Sequence, residues 1–169
     1  NSKTIPSMFS VSIIIPCHNA GRTLDACLQS ILDQNVVGNI EIIIVDDGSN
    51  DDTAEILESR YASKNVRIIV NSQREGASFS RNIGIKNAGN EWIMFIDADD
   101  ELPTGSLAAL QSETTTSDSD MIIGAYQRRL PSGELISNFY SMAKVFNGPV
   151  ERLKEYFEEY MLKPYTHTL

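Results

Sequence analysis

Four short apolar runs, separated by segments with helical periodicity, occupy most of the first hundred residues of this chain. The runs lie at about 11–15, 41–45, 66–70 and 92–96. The helical segments lie near 21–34, 52–62 and 77–88, and Asn50 or Asp51 would cap the second of them. Strands that alternate with helices in this way pair in parallel, because a parallel pair needs a long crossover. The sequence therefore predicts an α/β chain with a mostly parallel sheet and helices on both faces.

Polar residues follow three of these runs directly. Pro16-Cys17-His18-Asn19 follows the first run, Asp46-Asp47-Gly48-Ser49 the second, and Asp97-Ala98-Asp99-Asp100 the fourth. In open parallel sheets, ligands bind in the crevice outside the carboxyl ends of the strands. We therefore expect the three segments to line one binding crevice.

The acids after the fourth run form a D-x-D motif that suits a hard cation. If the strand continues, Asp97 and Asp99 point to one face. Mg²⁺ and Mn²⁺ take oxygen ligands and usually share them with substrate phosphates. The alternative is an acidic solvated turn, because aspartate is common in turns. The motif alone leaves both interpretations open.

The formal net charge of −9 bears on the kind of partner. A protein that binds nucleic acid needs basic patches against the phosphate backbone, so nucleic acid is not expected as the main partner. The charge does not argue against a nucleotide that is held through a bound metal.

Cysteine content and hydropathy bear on the compartment. The two cysteines, Cys17 and Cys27, are too few for a disulfide scaffold. Cys27 falls on one helical face with Leu24, Leu28 and Ile31 and should be buried, whereas Cys17 is expected in the crevice loop. No apolar stretch approaches the length of a membrane span, and no signal peptide is visible. A cytoplasmic location is the default expectation.

The regular alternation ends after Asp100. We expect a helix that starts near Pro103, a polar linker over 113–119 and a strand at 121–123. A hairpin over 126–139 should turn at Pro131-Ser132-Gly133, and a last helix is expected near 149–162. The final residues, 163–169, show no clear ending, so we expect the chain to be truncated there.

Taken together, the motifs resemble those of family 2 glycosyltransferases, which have the Rossmann-like GT-A fold. The matching stretches are 11–19, 44–53, 76–84 and 95–100, in the family's order and spacing and each at a strand end or a helix start. The resemblance covers about residues 10–125, which would form the nucleotide-sugar-binding half. Residues 1–9 would be an N-terminal extension, and 126–169 would begin the acceptor-side half. The resemblance also implies a D-x-D motif at the end of the fourth strand.

The resemblance also implies a reaction. A sugar, of hexosyl or N-acetylhexosaminyl type, would move from a nucleotide-sugar donor, with a UDP-sugar as the expected one, and with inversion at the anomeric carbon. Mn²⁺ or Mg²⁺ would be the cofactor. The acceptor would be a glycan, such as a cell-envelope polysaccharide, or a lipid-linked glycan, and residues outside this chain could bring the protein to the inner face of the membrane.

Roles for the acids follow from the same resemblance. Asp99 would bind the metal, and Asp97 would contact the ribose hydroxyls or the water shell of the metal. Asp47 would accept a hydrogen bond from the imide N–H of a uracil-like base. Asp46 would either join this site or hold its loop by bonding backbone N–H groups. Asp100 would belong to the site or only cap the next helix.

The remaining residues implied in donor binding are Pro16, His18, Asn19 and Arg81. Pro16 would shape the first loop. His18 stands where the family often has tyrosine, and its ring could stack on the base with less area. Arg81 would lie near the base or the phosphates, the alternative being a surface arginine. The role of Arg74 is open.

An inverting transferase also needs a general base to deprotonate the acceptor. In the family this acid lies in the acceptor-side half, so we expect it roughly 20–30 residues past Leu169. Two other functions stay open at this point. One is a D-x-D phosphatase, although its nucleophilic acid would follow the first strand. The other is a nucleotide-binding regulatory module without catalysis.

Overall fold

The computed structural model describes residues 8–62, 65–116, 120–122, 124, 126–130 and 132–138. The chain divides into two compact units, Asn1–Ser112 and Glu113–Leu169. None of the helices within the described ranges has both the length and the apolar character that a bilayer crossing needs.

All the strands and helices predicted for the first hundred residues are formed. In chain order they are β1 (Ser10–Cys17), α1 (Leu24–Leu32), β2 (Asn39–Asp46), α2 (Thr53–Ile56), β3 (Val66–Val70), α3 (Ala77–Asn87) and β4 (Trp92–Phe95). The predicted helix near 52–62 changes character, because α2 continues as a π-helical segment over Leu57–Tyr61. The first helix is shorter than expected and begins at Leu24.

The four strands form one parallel sheet in the order β3-β2-β1-β4. Ile13 pairs with Ile42 across β1 and β2, and Ile14 pairs with Phe95 across β1 and β4. β1 is therefore central, and the carboxyl ends of all four strands share one edge. The prediction of a mostly parallel α/β sheet is confirmed.

Two apolar clusters cover the opposite faces of this sheet, because successive side chains of a strand point to opposite sides. In the larger cluster, Ile13 and Ile15 of β1 pack with Leu24 and Leu28 of α1. In the smaller cluster, Ile14 packs with Ile43 and Val45, and Ile83 of α3 packs against this cluster. Each fully buried side chain of this size contributes roughly 1.5–3 kcal/mol. Helices therefore cover both faces, as predicted, and Cys27 is buried in the larger cluster.

The contact between α3 and β1 depends on a glycine. A Cβ added to Gly84 would lie 2.3 Å from Cγ2 of Ile14, which is fully buried. We expect Gly84→Ala to lower the free energy of unfolding by about 1–3 kcal/mol, the usual cost of overpacking. Denaturant unfolding measures this, with Gly89→Ala as control, because a Cβ there meets only Glu41 at 3.8 Å. Equal stability of the two variants would contradict the tight contact.

The helix expected near Pro103 is formed, but the expected linker and the expected strand are wrong. The helix α4 spans Ser106–Thr116, so it begins three residues after Pro103 and includes 113–116 of the expected linker, whose last residues, 117–119, lie outside the described residues. Extending a formed helix costs little even for threonine, because the unfavourable nucleation step is already complete. Met121 and Ile122 are in no strand, and Ile123 lies outside the described residues. A three-residue apolar run is too short to specify a strand by itself.

The second unit contains the predicted hairpin. β5 (Tyr126–Arg129) and β6 (Leu135–Asn138) pair in antiparallel fashion. The Leu130 N–H donates to the carbonyl of Glu134, and Gly133 has a φ of +85°, which favours glycine. Pro131 and the helix expected near 149–162 lie outside the described residues.

Candidate functional site

The polar segments predicted after the first and second strands meet at the carboxyl edge of the sheet, together with the loop after β3. Cys17 at the end of β1 pairs with Asp46 at the end of β2, and Asp46 pairs with Val70 at the end of β3. The Asp47 N–H donates to the carbonyl of Cys17 at 2.8 Å, and the Asn71 N–H donates to the carbonyl of Asp46 at 2.8 Å. The loops after β1, β2 and β3 therefore start side by side.

The loops after β1 and β2 are joined by hydrogen bonds between side chains and backbone. The Asn19 N–H donates to Oγ of Ser49 at 2.9 Å, and Oδ1 of Asn19 accepts the Asn50 N–H at 2.9 Å. Asn19 has a φ of +52°, a left-handed conformation that asparagine tolerates better than most residues. The Ala20 N–H donates to Oγ1 of Thr53, which is fully buried. Asn19 thus holds two predicted site loops in one arrangement.

Asp46 holds the turn that follows β2. The residue is 1% exposed, and its Oδ1 accepts the Ser49 N–H at 3.1 Å and the Ser49 hydroxyl at 2.5 Å. Of the two roles considered from the sequence, the structure shows the loop-holding one. An aspartate that bonds the backbone and hydroxyl groups ahead of it stabilises such a turn locally.

The His18 ring is oriented by two polar contacts. Nδ1 lies 2.9 Å from the carbonyl oxygen of Asp47, and Nε2 lies 3.4 Å from Nδ2 of Asn19. Because a carbonyl only accepts, this network assigns the proton to Nδ1 and leaves Nε2 as the acceptor. The ring is therefore held at the crevice edge, and its stacking on a base stays a prediction.

Asp47 ties the loop after β3 to the end of β2. Its side chain is buried, and the residue is 3% exposed. Oδ1 accepts hydrogen bonds from Nδ2 of Asn71 at 2.8 Å and from the Glu75 N–H at 2.9 Å. Oδ2 accepts one from the Gly76 N–H at 2.7 Å. Burial raises the pKa of this carboxyl, but the hydrogen bonds, chiefly those from Glu75, Asn71 and Gly76, outweigh burial and lower the pKa. The carboxylate is ionised at neutral pH and fixes the loop geometry.

Gly48 lets these two loops approach closely. Its φ is +67°, and an added Cβ would lie 2.9 Å from the carbonyl carbon of Gln73 and 3.0 Å from the Arg74 nitrogen. Only glycine combines this backbone conformation with this contact. Arg74 is exposed on the loop that Gly48 contacts.

Two positioning roles, those of Asn71 and Asp51, were missed from the sequence. Asn71 follows β3 directly, so the rule that selected the other strand ends would have found it. Asp51 accepts the N–H and hydroxyl of Thr53 through Oδ1, and the Gly21 N–H through Oδ2. Burial raises the pKa of Asp51, but these hydrogen bonds outweigh it and lower the pKa. The predicted cap is only partly right, because the capping position of α2 is Asp52, whose side chain makes no capping bond.

Pro16 and Cys17 lie in the strand rather than in the loop after it, which corrects both expectations. Pro16 pairs with Val45 inside the sheet. The carbonyl of Ile14 accepts the Ile96 N–H, so the backbone of Ile14 faces β4. The backbone of Pro16, two residues further along the strand, faces the same way. The pairing with β4 has ended before this point, so a proline without an N–H is tolerated there. Cys17 is the last residue of β1, and burial raises the pKa of its thiol to about 12. Cys17 is therefore not a reactive thiol.

The D-x-D segment follows β4 and presents its acids outward. β4 ends at Phe95, and the Asp100 N–H closes a turn onto the carbonyl of Asp97 at 3.0 Å. Ile96 and Ala98 are buried, whereas Asp97, Asp99 and Asp100 are exposed. The continued strand on which the prediction of a common face for Asp97 and Asp99 depended is not formed, because a turn follows β4 instead. Asp100 lies six residues before α4 and does not cap it.

The charges on this segment repel one another. Desolvation raises the pKa of Asp100, and the negative charges of Asp99 and Asp97 raise it further. A bound cation would relieve this repulsion. The donor set is of the right type for Mg²⁺ or Mn²⁺, which prefer carboxylate oxygens. Within the described residues no three metal-ligating side chains form a ready-made cluster, so substrate oxygens would have to complete the coordination.

Arg81 is brought to the D-x-D segment by α3. Its Nη2 lies 2.5 Å from Oδ1 of Asp97, with the side chains 32% and 50% exposed. The structure thus pairs two residues that the sequence selected separately. Asp99 forms no hydrogen bond or ion pair with any other described residue, and its side chain is exposed.

Comparison with known proteins gives matches to one family. A family model described as "Glycosyl transferase family 2" matches residues 12–168. Glycosyltransferase GlyG of Streptococcus pneumoniae serotype 4 is 35% identical over 131 residues, which cover 77% of this chain and 42% of GlyG. A protein of Escherichia coli, UDP-Glc:alpha-D-GlcNAc-diphosphoundecaprenol beta-1,3-glucosyltransferase WfgD, is 36% identical over 93 residues, or 54% of this chain and 36% of WfgD.

A similar solved structure is that of residues 1–349 of Staphylococcus aureus TarS in complex with UDP-GlcNAc. The TM-score is 0.57 at 26% identity, and the match covers 62% of this chain and 30% of TarS. These matches confirm the GT-A, Rossmann-like α/β fold expected from the motifs. The chain spans less than half the length of each of these relatives.

Proposed function

Because this chain belongs to glycosyl transferase family 2, we propose that it is the donor-binding part of a metal-dependent glycosyltransferase that uses a UDP-sugar. The acceptor in this proposal is a glycan or a lipid-linked glycan. The observation that carries it is the arrangement at the carboxyl edge of the sheet, where Asp99, an exposed carboxylate with no partner among the described residues, follows the Arg81–Asp97 ion pair.

Each group has a defined task in this proposal. Asp47, held ionised by its donors, accepts the imide N–H of the base, and the fixed ring of His18 stacks on it. Asp97 binds the ribose hydroxyls, and Asp99 holds Mn²⁺ or Mg²⁺. The bound cation would neutralise the negative charge that develops on the departing diphosphate.

Two of the relatives support the choice of donor. TarS was crystallised with UDP-GlcNAc, and the name of WfgD specifies UDP-Glc. The D-x-D phosphatase is disfavoured, since such an enzyme needs its nucleophilic acid after the first strand, where this chain has His18 and Asn19. The cytoplasmic location and an association with the inner face of the membrane stay predictions.

Calorimetric titration with nucleotides tests the proposal. We expect UDP to bind in the presence of Mn²⁺ and to lose about tenfold or more in affinity when EDTA replaces the metal at matched ionic strength. We also expect UDP to bind more tightly than GDP, because the donors named for WfgD and TarS are UDP-sugars. Equal UDP affinity with and without metal would contradict the metal role. Tighter binding of GDP would contradict the choice of base.

A further inference from the structure

Arg81 and Asp97 are both held in place by contacts outside their ion pair. Arg81 follows the buried Ser80 on α3, and Gly84, one turn further, is pressed against Ile14 of β1. The main-chain carbonyl of Asp97 accepts from Sγ of Cys27 at 3.6 Å and from the Asp100 N–H at 3.0 Å. The guanidinium and the first acid of the motif therefore meet as parts of two anchored segments.

This pairing commits one of the two D-x-D carboxylates before any ligand arrives. Oδ1 of Asp97 is 2.5 Å from Nη2 of Arg81, while Asp99 has no partner among the described residues. A divalent cation needs about six oxygen ligands. While Asp97 is paired with Arg81, Asp99 is the main carboxylate ligand that the motif offers to a cation. The nearby guanidinium also repels the cation.

A diphosphate changes this balance in two ways. Its oxygens provide the missing ligands and add negative charge, and they are also good partners for a guanidinium, which binds phosphate in a bidentate manner. We infer that Arg81 is a positioning residue that makes divalent-cation binding at Asp99 conditional on the presence of a nucleoside diphosphate. This inference rests on the proposed function and adds an order of binding to it.

The chain offers a matched control for the charge of Arg81. Arg60 is also a helical arginine paired with an aspartate, Asp25, and both side chains are partly exposed. It lies on the π-helical segment, and its partner on α1 bonds only to Arg60 and Tyr61 among the described residues. Arg60→Gln therefore removes one positive charge and one ion pair without touching Asp97.

The experiment measures Mn²⁺ binding by electron paramagnetic resonance of the free ion, with and without UDP. For the unchanged protein we expect weak binding of Mn²⁺ alone and much tighter binding with UDP. Arg81→Gln should bind Mn²⁺ alone about tenfold more tightly, because a repelling charge is lost and a carboxylate is freed. The coupling between Mn²⁺ and UDP should fall by the same factor. Arg60→Gln should match the unchanged protein.

Two further variants separate this role from a purely structural one. Arg81→Lys keeps the charge and should restore weak binding of Mn²⁺ alone. Combining Arg81→Gln with Asp97→Asn removes the freed carboxylate and should reverse most of the tightening. Thermal unfolding of each variant verifies that it is folded under the titration conditions.

The outcomes distinguish the inference from the proposed function. If the unchanged protein binds UDP equally with and without Mn²⁺, both are wrong. If its binding is metal-dependent but Arg81→Gln binds Mn²⁺ alone no more tightly than Arg60→Gln does, only the inference about Arg81 is wrong.

Discussion

Asp47→Ala is expected to lower the free energy of unfolding by about 3 kcal/mol at neutral pH. The substitution leaves three donors without their acceptor: the side-chain amide of Asn71 and the backbone N–H groups of Glu75 and Gly76. A hydrogen bond to a charged group contributes roughly 1.5–3 kcal/mol, and such terms within one network do not add fully. Water can reach part of the loop, so the loss should be smaller than the sum of three bonds.

Denaturant unfolding of the variant tests this, with Asp52→Ala as the control. Asp52 carries the same charge and lies near the same edge, but its side chain makes no capping hydrogen bond. The control should change stability by less than about 0.5 kcal/mol. If both variants lose equal stability, the loss comes from removing a negative charge and not from the network around Asp47.

The stability effect of Asp47 should also depend on pH in a defined direction. The pKa of Asp47 is lowered in the folded chain, and the unfolded value is about 3.9. The stabilisation is therefore fully present above about pH 4 and is lost as the pH falls through the lower, folded pKa. The difference in stability between the unchanged protein and Asp47→Ala should be constant from pH 7 to about pH 5 and should shrink below pH 4. Asp51, whose pKa is also lowered, is present in both proteins and cancels.

The fold of the first unit was predictable because its signals are local. Each apolar run is bounded by polar residues, and a parallel sheet brings all strand ends to one edge, so the crevice follows without knowledge of any distant contact. The D-x-D segment and the loops at His18, Asn19 and Asp47 could be selected in this way. The first misjudged helix boundary, at Leu24, lies where Asn19 and Ala20 bond across to the β2–α2 loop and hold the preceding residues in a turn.

The bonds that organise the site were not predictable, because they join residues distant in sequence. Asp47 accepts hydrogen bonds from Glu75 and Gly76, which lie 28 and 29 positions further along the chain. The sequence around Asp47 does not indicate these contacts. Arg81 and Asp97 are 16 positions apart, and their meeting depends on how α3 packs on β1 through Gly84. Sequence patterns show which residues reach the edge, whereas the packing of helices on the sheet decides which of them are already paired.

The acids of the described site fall into two groups, and this difference bears on which of them would bind the metal in the proposed function. Asp46, Asp47 and Asp51 are committed to hydrogen bonds that hold loops, and Asp97 is paired with Arg81. Asp99 and Asp100 have no such bond through their carboxylates among the described residues. Desolvation and the charges of its acidic neighbours raise the pKa of Asp100. In the proposed function the cation ligand is Asp99, the second acid of the D-x-D motif.

Asp99→Asn should consequently have the largest effect on function of any single substitution at this edge. We expect it to reduce the affinity for UDP in Mn²⁺ to the value measured in EDTA, and to lower the rate of donor-sugar cleavage by about 10²–10³-fold, as when one electrostatic stabiliser of a transition state is removed. The side chain is exposed and makes no internal bond, so the free energy of unfolding should change by less than about 0.5 kcal/mol. Asp100→Asn, the adjacent acid with the same change in charge, is the control and should retain metal-dependent UDP binding within a few-fold. Equal losses in the two variants would show that the segment acts through its total charge, because a specific ligand at Asp99 predicts that only one of them fails.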